Sequence, residues 1–162
     1  MGRAMLCSRL PALLAALALL AVWGPPAGAS DQAKAPRYVG SAVCAGCHPG
    51  QYERYRQYSK KAHSSRGVKL MAKGLTPEEL ASCYGCHTTG YGKPGGFTDF
   101  AATPELADAG CEVCHGPGAD HVATSDPAAI KGKLTVADCA PCHDDARVHA
   151  FGYKPLLQAG AH

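Results

Sequence analysis

Residues 44–48 read Cys44-Ala45-Gly46-Cys47-His48, and the same Cys-x-x-Cys-His pattern returns three more times along the chain. The other copies are Cys83-Tyr84-Gly85-Cys86-His87, Cys111-Glu112-Val113-Cys114-His115 and Cys139-Ala140-Pro141-Cys142-His143. Together the four copies use every cysteine of the chain except Cys7. Disulfide bonds and zinc sites both use paired cysteines, but neither requires a histidine directly after each second cysteine.

The pattern is typical of covalent haem attachment. Two thiols separated by two residues lie on one helical turn and can form thioethers with the two vinyl groups of a haem, while the next residue places an imidazole under the iron. We therefore predict four covalently bound haem c groups. The attachment residues are Cys44, Cys47, Cys83, Cys86, Cys111, Cys114, Cys139 and Cys142, and the proximal iron ligands are His48, His87, His115 and His143.

The first 29 residues have the pattern of a secretory signal peptide. Arg3 and Arg9 precede an apolar run at residues 10–23, and Ala27-Gly28-Ala29 offers small residues for cleavage before Ser30. The run is shorter than the roughly 20 residues that span a bilayer. We predict a signal peptide at 1–29, cleaved after Ala29, and an exported, periplasmic tetrahaem domain at 30–162 with no stable membrane span.

The charge of the exported part excludes some functions. Removal of residues 1–29 leaves 14 Lys and Arg residues against 13 Asp and Glu residues. A nearly neutral polypeptide without a long run of one charge gives no reason to expect nucleic-acid binding. Neither a Ser/His/Asp nucleophilic arrangement nor a glycine-rich phosphate motif is identifiable, so no catalytic residue is assigned.

The expected fold is mainly α-helical with much irregular loop, a compact chain wrapped around four haems that form most of its apolar core. Residues 76–79, Thr-Pro-Glu-Glu, combine an N-cap, a proline and an acidic N3 residue, and residues 103–105 look similar. Residues 90–96 contain four glycines and a proline, which predicts a loop. Tyrosines at 52, 55 and 58 predict a helix whose rings pack on haem.

Four histidines lie outside the attachment units, and their number equals the number of predicted irons. They are the candidate distal ligands His63, His121, His149 and His162. If each binds an iron, all four haems are six-coordinate. His121 follows His115 by only six residues, a short distance for reaching the opposite face of the same haem. We therefore expect His121 to bind a neighbouring haem.

Two segments resemble the tetrahaem cytochrome c-554 family. Residues 38–48, Tyr-Val-Gly-Ser-Ala-Val-Cys-Ala-Gly-Cys-His, followed by Tyr52, Tyr55, Ser59 and His63, are similar to the opening of that family. Residues 110–118, Gly-Cys-Glu-Val-Cys-His-Gly-Pro-Gly, with His121 resemble its third haem segment. The ending, with Phe151, Tyr153, Pro155 and His162, is similar to multihaem relatives.

The resemblance implies a compact, mainly helical fold with closely stacked haem pairs and an electron-transfer function. It also implies that His63 and His121 are distal ligands. The family includes a haem with an open distal side, which the resemblance places at the second unit, served by His87. This chain departs from that pattern because it has enough histidines to fill every position.

These observations predict a periplasmic electron carrier that exchanges electrons with a redox protein donor and a redox protein acceptor. The sequence identifies neither partner and does not give the oligomeric state. Two alternatives remain open. One is an enzyme that converts a nitrogen oxide or hydroxylamine at a five-coordinate haem. The other is a membrane-anchored, quinol-oxidising tetrahaem protein that keeps residues 10–23 as its anchor.

Overall fold

A computed structural model describes residues 37–144 of the chain. Its α-helices are α1 (Ser41–Cys44), α2 (Pro49–Tyr58), α3 (Ser65–Met71), α4 (Pro77–His87), α5 (Cys111–His115), α6 (Ala119–Thr124) and α7 (Val136–Cys139). Short 3₁₀-helices lie at Lys60–His63, Ala72–Gly74, Pro104–Leu106 and Pro127–Ala129. No strand occurs within these residues. The predicted helical fold with irregular loops is confirmed for this part of the chain.

The predicted signal peptide and the histidines at 149 and 162 lie outside the described residues. Within residues 37–144, no helix combines the length and the apolar character needed to cross a membrane.

The two predicted helix starts have different outcomes. At α4 the Thr76 hydroxyl accepts from the Glu79 N–H at 3.3 Å, and the Glu79 carboxylate accepts from the Thr76 N–H at 2.8 Å. This reciprocal capping box begins an eleven-residue helix. The similar Thr103 begins only the 3₁₀ turn Pro104–Leu106. Its hydroxyl accepts from the Thr98 N–H and donates to the Asp99 carbonyl instead, so it caps no helix.

A small aromatic cluster anchors the second attachment unit. Phe97 and Leu106 are buried, and Tyr84 and Phe100 pack against them. The Tyr84 ring meets Phe97 edge-on at 5.1 Å and Phe100 at 5.8 Å between ring centroids. Because Tyr84 lies between Cys83 and Cys86, these contacts fix the position of that unit.

The predicted loop at 90–96 is confirmed and brings Phe97 back to the cluster. Gly90 has a φ of 72°, a conformation that glycine adopts readily. A Cβ on Gly96 would lie 1.8 Å from the Gly90 carbonyl oxygen, so the backbones at the two ends of the loop are in contact. The Phe97 N–H then donates to the Thr89 carbonyl at 2.9 Å.

A single inward face continues through α2, the following 3₁₀ turn and α3. Its buried residues recur every three or four positions: Tyr55, Ser59, Ala62, Ser65 and Val68. The Tyr55 hydroxyl donates to the Ala109 carbonyl at 2.8 Å, which links α2 to the loop before the third unit. Tyr58 is 62% exposed. The tyrosines at 52, 55 and 58 therefore do not act as one stripe, because Tyr55 packs within the polypeptide.

Candidate haem centres

All four Cys-x-x-Cys-His units fold as a single helical turn. The His48 N–H donates to the Cys44 carbonyl at 2.8 Å, and the His143 N–H donates to the Cys139 carbonyl at 2.9 Å. The second unit is the end of α4, and the third unit is α5. On such a turn the second cysteine and the histidine, three and four residues after the first cysteine, share one face. The local fold therefore presents two thiols and one imidazole together.

Backbone carbonyls fix the orientation of three imidazoles. Nδ1 of His87 lies 3.0 Å from the Ser64 carbonyl oxygen, and Nδ1 of His115 lies 2.6 Å from that of Lys131. Nδ1 of His121 lies 2.9 Å from the Asp126 carbonyl oxygen. Because a carbonyl oxygen only accepts, Nδ1 carries the proton in each case and Nε2 keeps a lone pair. This arrangement is typical of metal-binding histidines.

The rings of His48 and His121 lie close together and nearly parallel. Their centroids are 6.3 Å apart and their planes differ by 19°. Histidine nitrogens bind first-row metals at about 2 Å, and the ring centre lies about 1 Å further back, so two imidazoles on one metal have centroids about 6 Å apart. The centroid separation of His48 and His121 is therefore the one expected for two imidazoles that each point a ring nitrogen at one metal ion.

The first and third units lie side by side. The hydrogen bond between the Cys44 and Cys111 thiols lowers the pKa of Cys111 to about 6 and raises that of Cys44. The two units are also joined through Ser41, whose hydroxyl accepts from the Cys111 N–H at 3.0 Å. Haems attached at these two positions would be direct neighbours.

His63 occupies the end of the 3₁₀ turn Lys60–His63 and is exposed. Its Nε2 lies 3.3 Å from the Arg56 carbonyl oxygen, so its Nδ1, rather than Nε2, keeps the lone pair. With Arg66, Lys69 and Asp108 it lines a pocket of about 430 Å³. In the part of the chain that the structure describes, His63 has no ring contact with a proximal histidine.

Comparisons with known proteins agree with this geometry. Residues 43–116 match the family described as cytochrome c554 and c-prime. The chain is 34% identical over 122 residues to the cytochrome c-554 of Nitrosomonas europaea, covering 67% of this chain and 52% of that protein. The chain belongs to the cytochrome c-554 family. It spans about half the length of this relative. No solved structure matches it.

Membership of the cytochrome c-554 family implies covalently bound haem c. The donor set fits that group, since each unit brings two thiols and an imidazole to one face and backbone carbonyls hold Nδ1 of three imidazoles. Among residues 37–144 no three Cys, His, Asp or Glu side chains converge on a possible metal site of their own. The match to the family covers the first three units, and the fourth unit rests on its own motif.

Sequence reasoning missed the most buried carboxylate of the site. Glu112 is 3% exposed, although it lies inside an attachment unit. Its oxygens accept from the N–H groups of Val39 (3.0 and 3.1 Å), Gly40 (2.7 Å) and Gly118 (2.7 Å). Glu112 thereby ties the approach to the first unit and the start of the His121 helix to the third unit. The available signal was an acidic residue between the two cysteines of an otherwise uncharged segment.

Sequence reasoning also missed a link between the His63 segment and the second unit. The Ser64 hydroxyl donates to the His87 carbonyl at 2.8 Å, and the Ser64 carbonyl accepts from Nδ1 of His87 at 3.0 Å. These bonds join residues 23 positions apart. No periodic or motif signal predicts such a pairing, because it depends on how α3 packs beside α4.

Proposed function

We propose that this chain is an exported c-type cytochrome that binds four haems and transfers electrons between redox proteins. The attachment residues are the eight cysteines of the four units, and the proximal ligands are His48, His87, His115 and His143. The proposed distal ligands are His63, His121, His149 and His162. A signal peptide of residues 1–29 would direct export and be cleaved after Ala29, which would leave a periplasmic protein of residues 30–162.

The observation that carries the proposal is the distance of 6.3 Å between the ring centroids of His48 and His121. It supports His121 as the distal ligand of the haem attached at Cys44 and Cys47, because the ring spacing is that of two imidazoles on one metal ion. Two imidazoles that are already in place favour a six-coordinate iron that changes its coordination little between oxidation states. Such a centre suits electron transfer better than binding of a small substrate.

The bound haem supplies a reversible one-electron exchange, whose potential depends on the axial ligands and their hydrogen bonds. The residues of this chain hold and orient the group. The carbonyls of Ser64, Lys131 and Asp126 fix which imidazole nitrogen faces the metal. Imidazole on both faces gives a lower potential than imidazole paired with methionine.

Purified holoprotein tests the proposal in three measurements. Intact mass with a pyridine haemochrome assay should give four haems per chain and an N-terminus at Ser30. Electron paramagnetic resonance of the oxidised protein should show low-spin iron, and carbon monoxide should leave the reduced spectrum unchanged. Fewer than four haems would contradict the stoichiometry. Carbon monoxide binding to the unmodified protein would instead favour the alternative of an enzyme with an open haem.

The His121→Ala variant provides the matched comparison. Removing this imidazole should open one iron, so the reduced variant should bind about one carbon monoxide per chain. His63→Ala removes a different proposed distal ligand, so it should open a different iron and leave the signal of the iron proposed at His48 and His121 unchanged. An unchanged spectrum in His121→Ala would contradict the assignment of His121.

A further inference from the structure

The charges of the chain are unevenly distributed along the sequence. Residues 54–73 contain seven basic residues and no acidic residue: Arg54, Arg56, Lys60, Lys61, Arg66, Lys69 and Lys73. Residues 74–130 contain one basic residue, Lys93, against eight acidic residues. The net charge of the polypeptide is near zero, but the chain still contains a basic segment at residues 54–73. The statement that no long run of one charge occurs missed this segment, because uncharged residues separate its bases.

The structure turns these bases outward. The buried residues of the segment are the uncharged set on the inward face of α2 and α3, so the basic side chains occupy the remaining positions. All seven are exposed except Lys61, which is half-buried. Among residues 37–144 the one ion pair joins Lys131 to Asp138, so no carboxylate within these residues forms an ion pair with the segment. We call this set of seven side chains the basic face.

One acidic residue packs against the basic face. Asp108 accepts from the Ser65 N–H at 2.9 Å and lines the pocket that contains Arg66 and Lys69. Lys69 also lies over the Phe100 ring at 4.5 Å. A single carboxylate leaves most of the positive charge uncompensated, and clustered surface charge of one sign attracts partners of the opposite sign.

The basic face also lies next to a candidate redox centre. Ser64, in the middle of the segment, is bonded twice to His87, the proximal ligand proposed for the second unit. Leu70 and Met71 are 83% and 56% exposed beside these bases. An apolar contact surrounded by charge is the usual composition of a protein docking site.

We propose that the basic face docks an acidic redox protein beside the second attachment unit. This inference rests on the proposed electron-transfer function and adds the class of the partner and the place where it binds. Charge complementarity decides the class, because six exposed bases and the half-buried Lys61 repel a basic partner. In the reaction with a reduced iron–sulfur protein, one electron leaves its cluster and converts one haem iron from Fe(III) to Fe(II).

The test uses holoprotein and a plant-type [2Fe–2S] ferredoxin, an acidic one-electron donor. Stopped-flow kinetics should give a second-order rate constant that falls as ionic strength rises. The double variant Arg66→Gln/Lys73→Gln should lower that constant by roughly three- to ten-fold at low salt, since charges near the contact act mainly on the association rate. Calorimetry with both proteins oxidised should show the same loss in affinity without electron transfer.

The control variant Lys93→Gln/Lys133→Gln removes the same charge from exposed positions outside the basic face. It should react with ferredoxin nearly as the wild type does. If both variants lose the same rate, or if the wild-type rate rises with salt, the docking inference is wrong. That second outcome would show that negative charge, such as that of haem propionates, dominates the surface that ferredoxin meets.

Reduction by lumiflavin semiquinone, which carries no net charge, separates this inference from the proposed function. All variants should be reduced at the same rate by this small donor. If lumiflavin reduces none of them, the electron-transfer function fails and the docking inference fails with it. If lumiflavin reduces all of them equally while the two double variants do not differ with ferredoxin, only the docking inference fails.

Discussion

Replacement of Glu112 tests whether one buried carboxylate holds the first and third haem segments together. Glu112→Ala removes the acceptor for three N–H groups, those of Val39, Gly40 and Gly118. Two of these lie before the first attachment unit, and the third lies at the start of α6, which carries His121. The substitution should therefore reduce stability and also disturb the alignment of His121 with His48.

The magnitude follows from the number of donors. Leaving a buried polar group without a partner costs about 1–3 kcal/mol, and water that enters the space of the lost carboxylate offsets part of the cost for three donors, so we expect a destabilisation of about 3–5 kcal/mol. Glu112→Gln keeps the shape and one accepting oxygen. Its amide NH₂ then faces an N–H group instead of accepting from it, so we expect a smaller loss of about 1–3 kcal/mol.

Guanidinium chloride unfolding of the oxidised holoprotein, followed by the Soret band, measures both losses. Electron paramagnetic resonance at neutral pH measures whether one low-spin signal weakens or broadens as His121 shifts. Glu53→Ala is the control, because Glu53 is an exposed residue in the interior of α2. If Glu112→Ala unfolds within about 1 kcal/mol of this control, the carboxylate does not hold the segments together, and the reasoning from its hydrogen bonds fails.

Three further changes have defined outcomes. His121→Met should raise the potential of one haem in a redox titration, because methionine ligation raises the potential, and an unchanged titration would contradict its role. Thr76→Ala should cost about 1 kcal/mol in chemical unfolding through loss of the capping box at α4, and Ser82→Ala should cost less. Hydrogen bonds from Lys131 and, as a smaller contribution, from the Thr135 N–H lower the pKa of Asp138 to about 2 from 3.8. The ionised carboxylate therefore stabilises the fold fully above pH 4, and this stabilisation is lost as the pH falls through 2. Asp138→Asn should therefore lower the melting temperature at pH 6. Between pH 4 and 2 the melting temperature of the variant should fall less than that of the wild type. Melting curves with the same pH dependence as the wild type would contradict this.

The sequence predicts the features that depend on neighbours along the chain. The four attachment turns need only residues within five positions, and the capping box at Thr76 needs only four. The glycine-rich loop at 90–96 is also a local property. Thr103 shows the limit of this approach, because its local sequence resembles that of Thr76. Its hydroxyl instead bonds Thr98 and Asp99 in the loop before it, and a three-residue 3₁₀ turn results.

The features that sequence reasoning missed join residues far apart. Glu112 bonds Val39 across 73 positions, and Tyr55 bonds Ala109 across 54. The expectation that His121 serves another haem came from a short chain separation, which excludes one partner but does not select among the others. The structure places the His48 ring beside that of His121, and the pairing of these two ligands on one iron stays a prediction.

The position of Glu112 within the third unit has a consequence for the order of maturation. The carboxylate receives its donors from both sides of the chain, from residues 39–40 and from Gly118. His121 can therefore face His48 only when the first and third segments have come together. If His121 is the distal ligand of the haem attached at Cys44 and Cys47, as we propose, that haem would remain five-coordinate until the first and third segments meet. A buried hydrogen-bond network would then control the spin state of an iron, and one carboxylate inside an attachment unit should affect the ligation of a different unit.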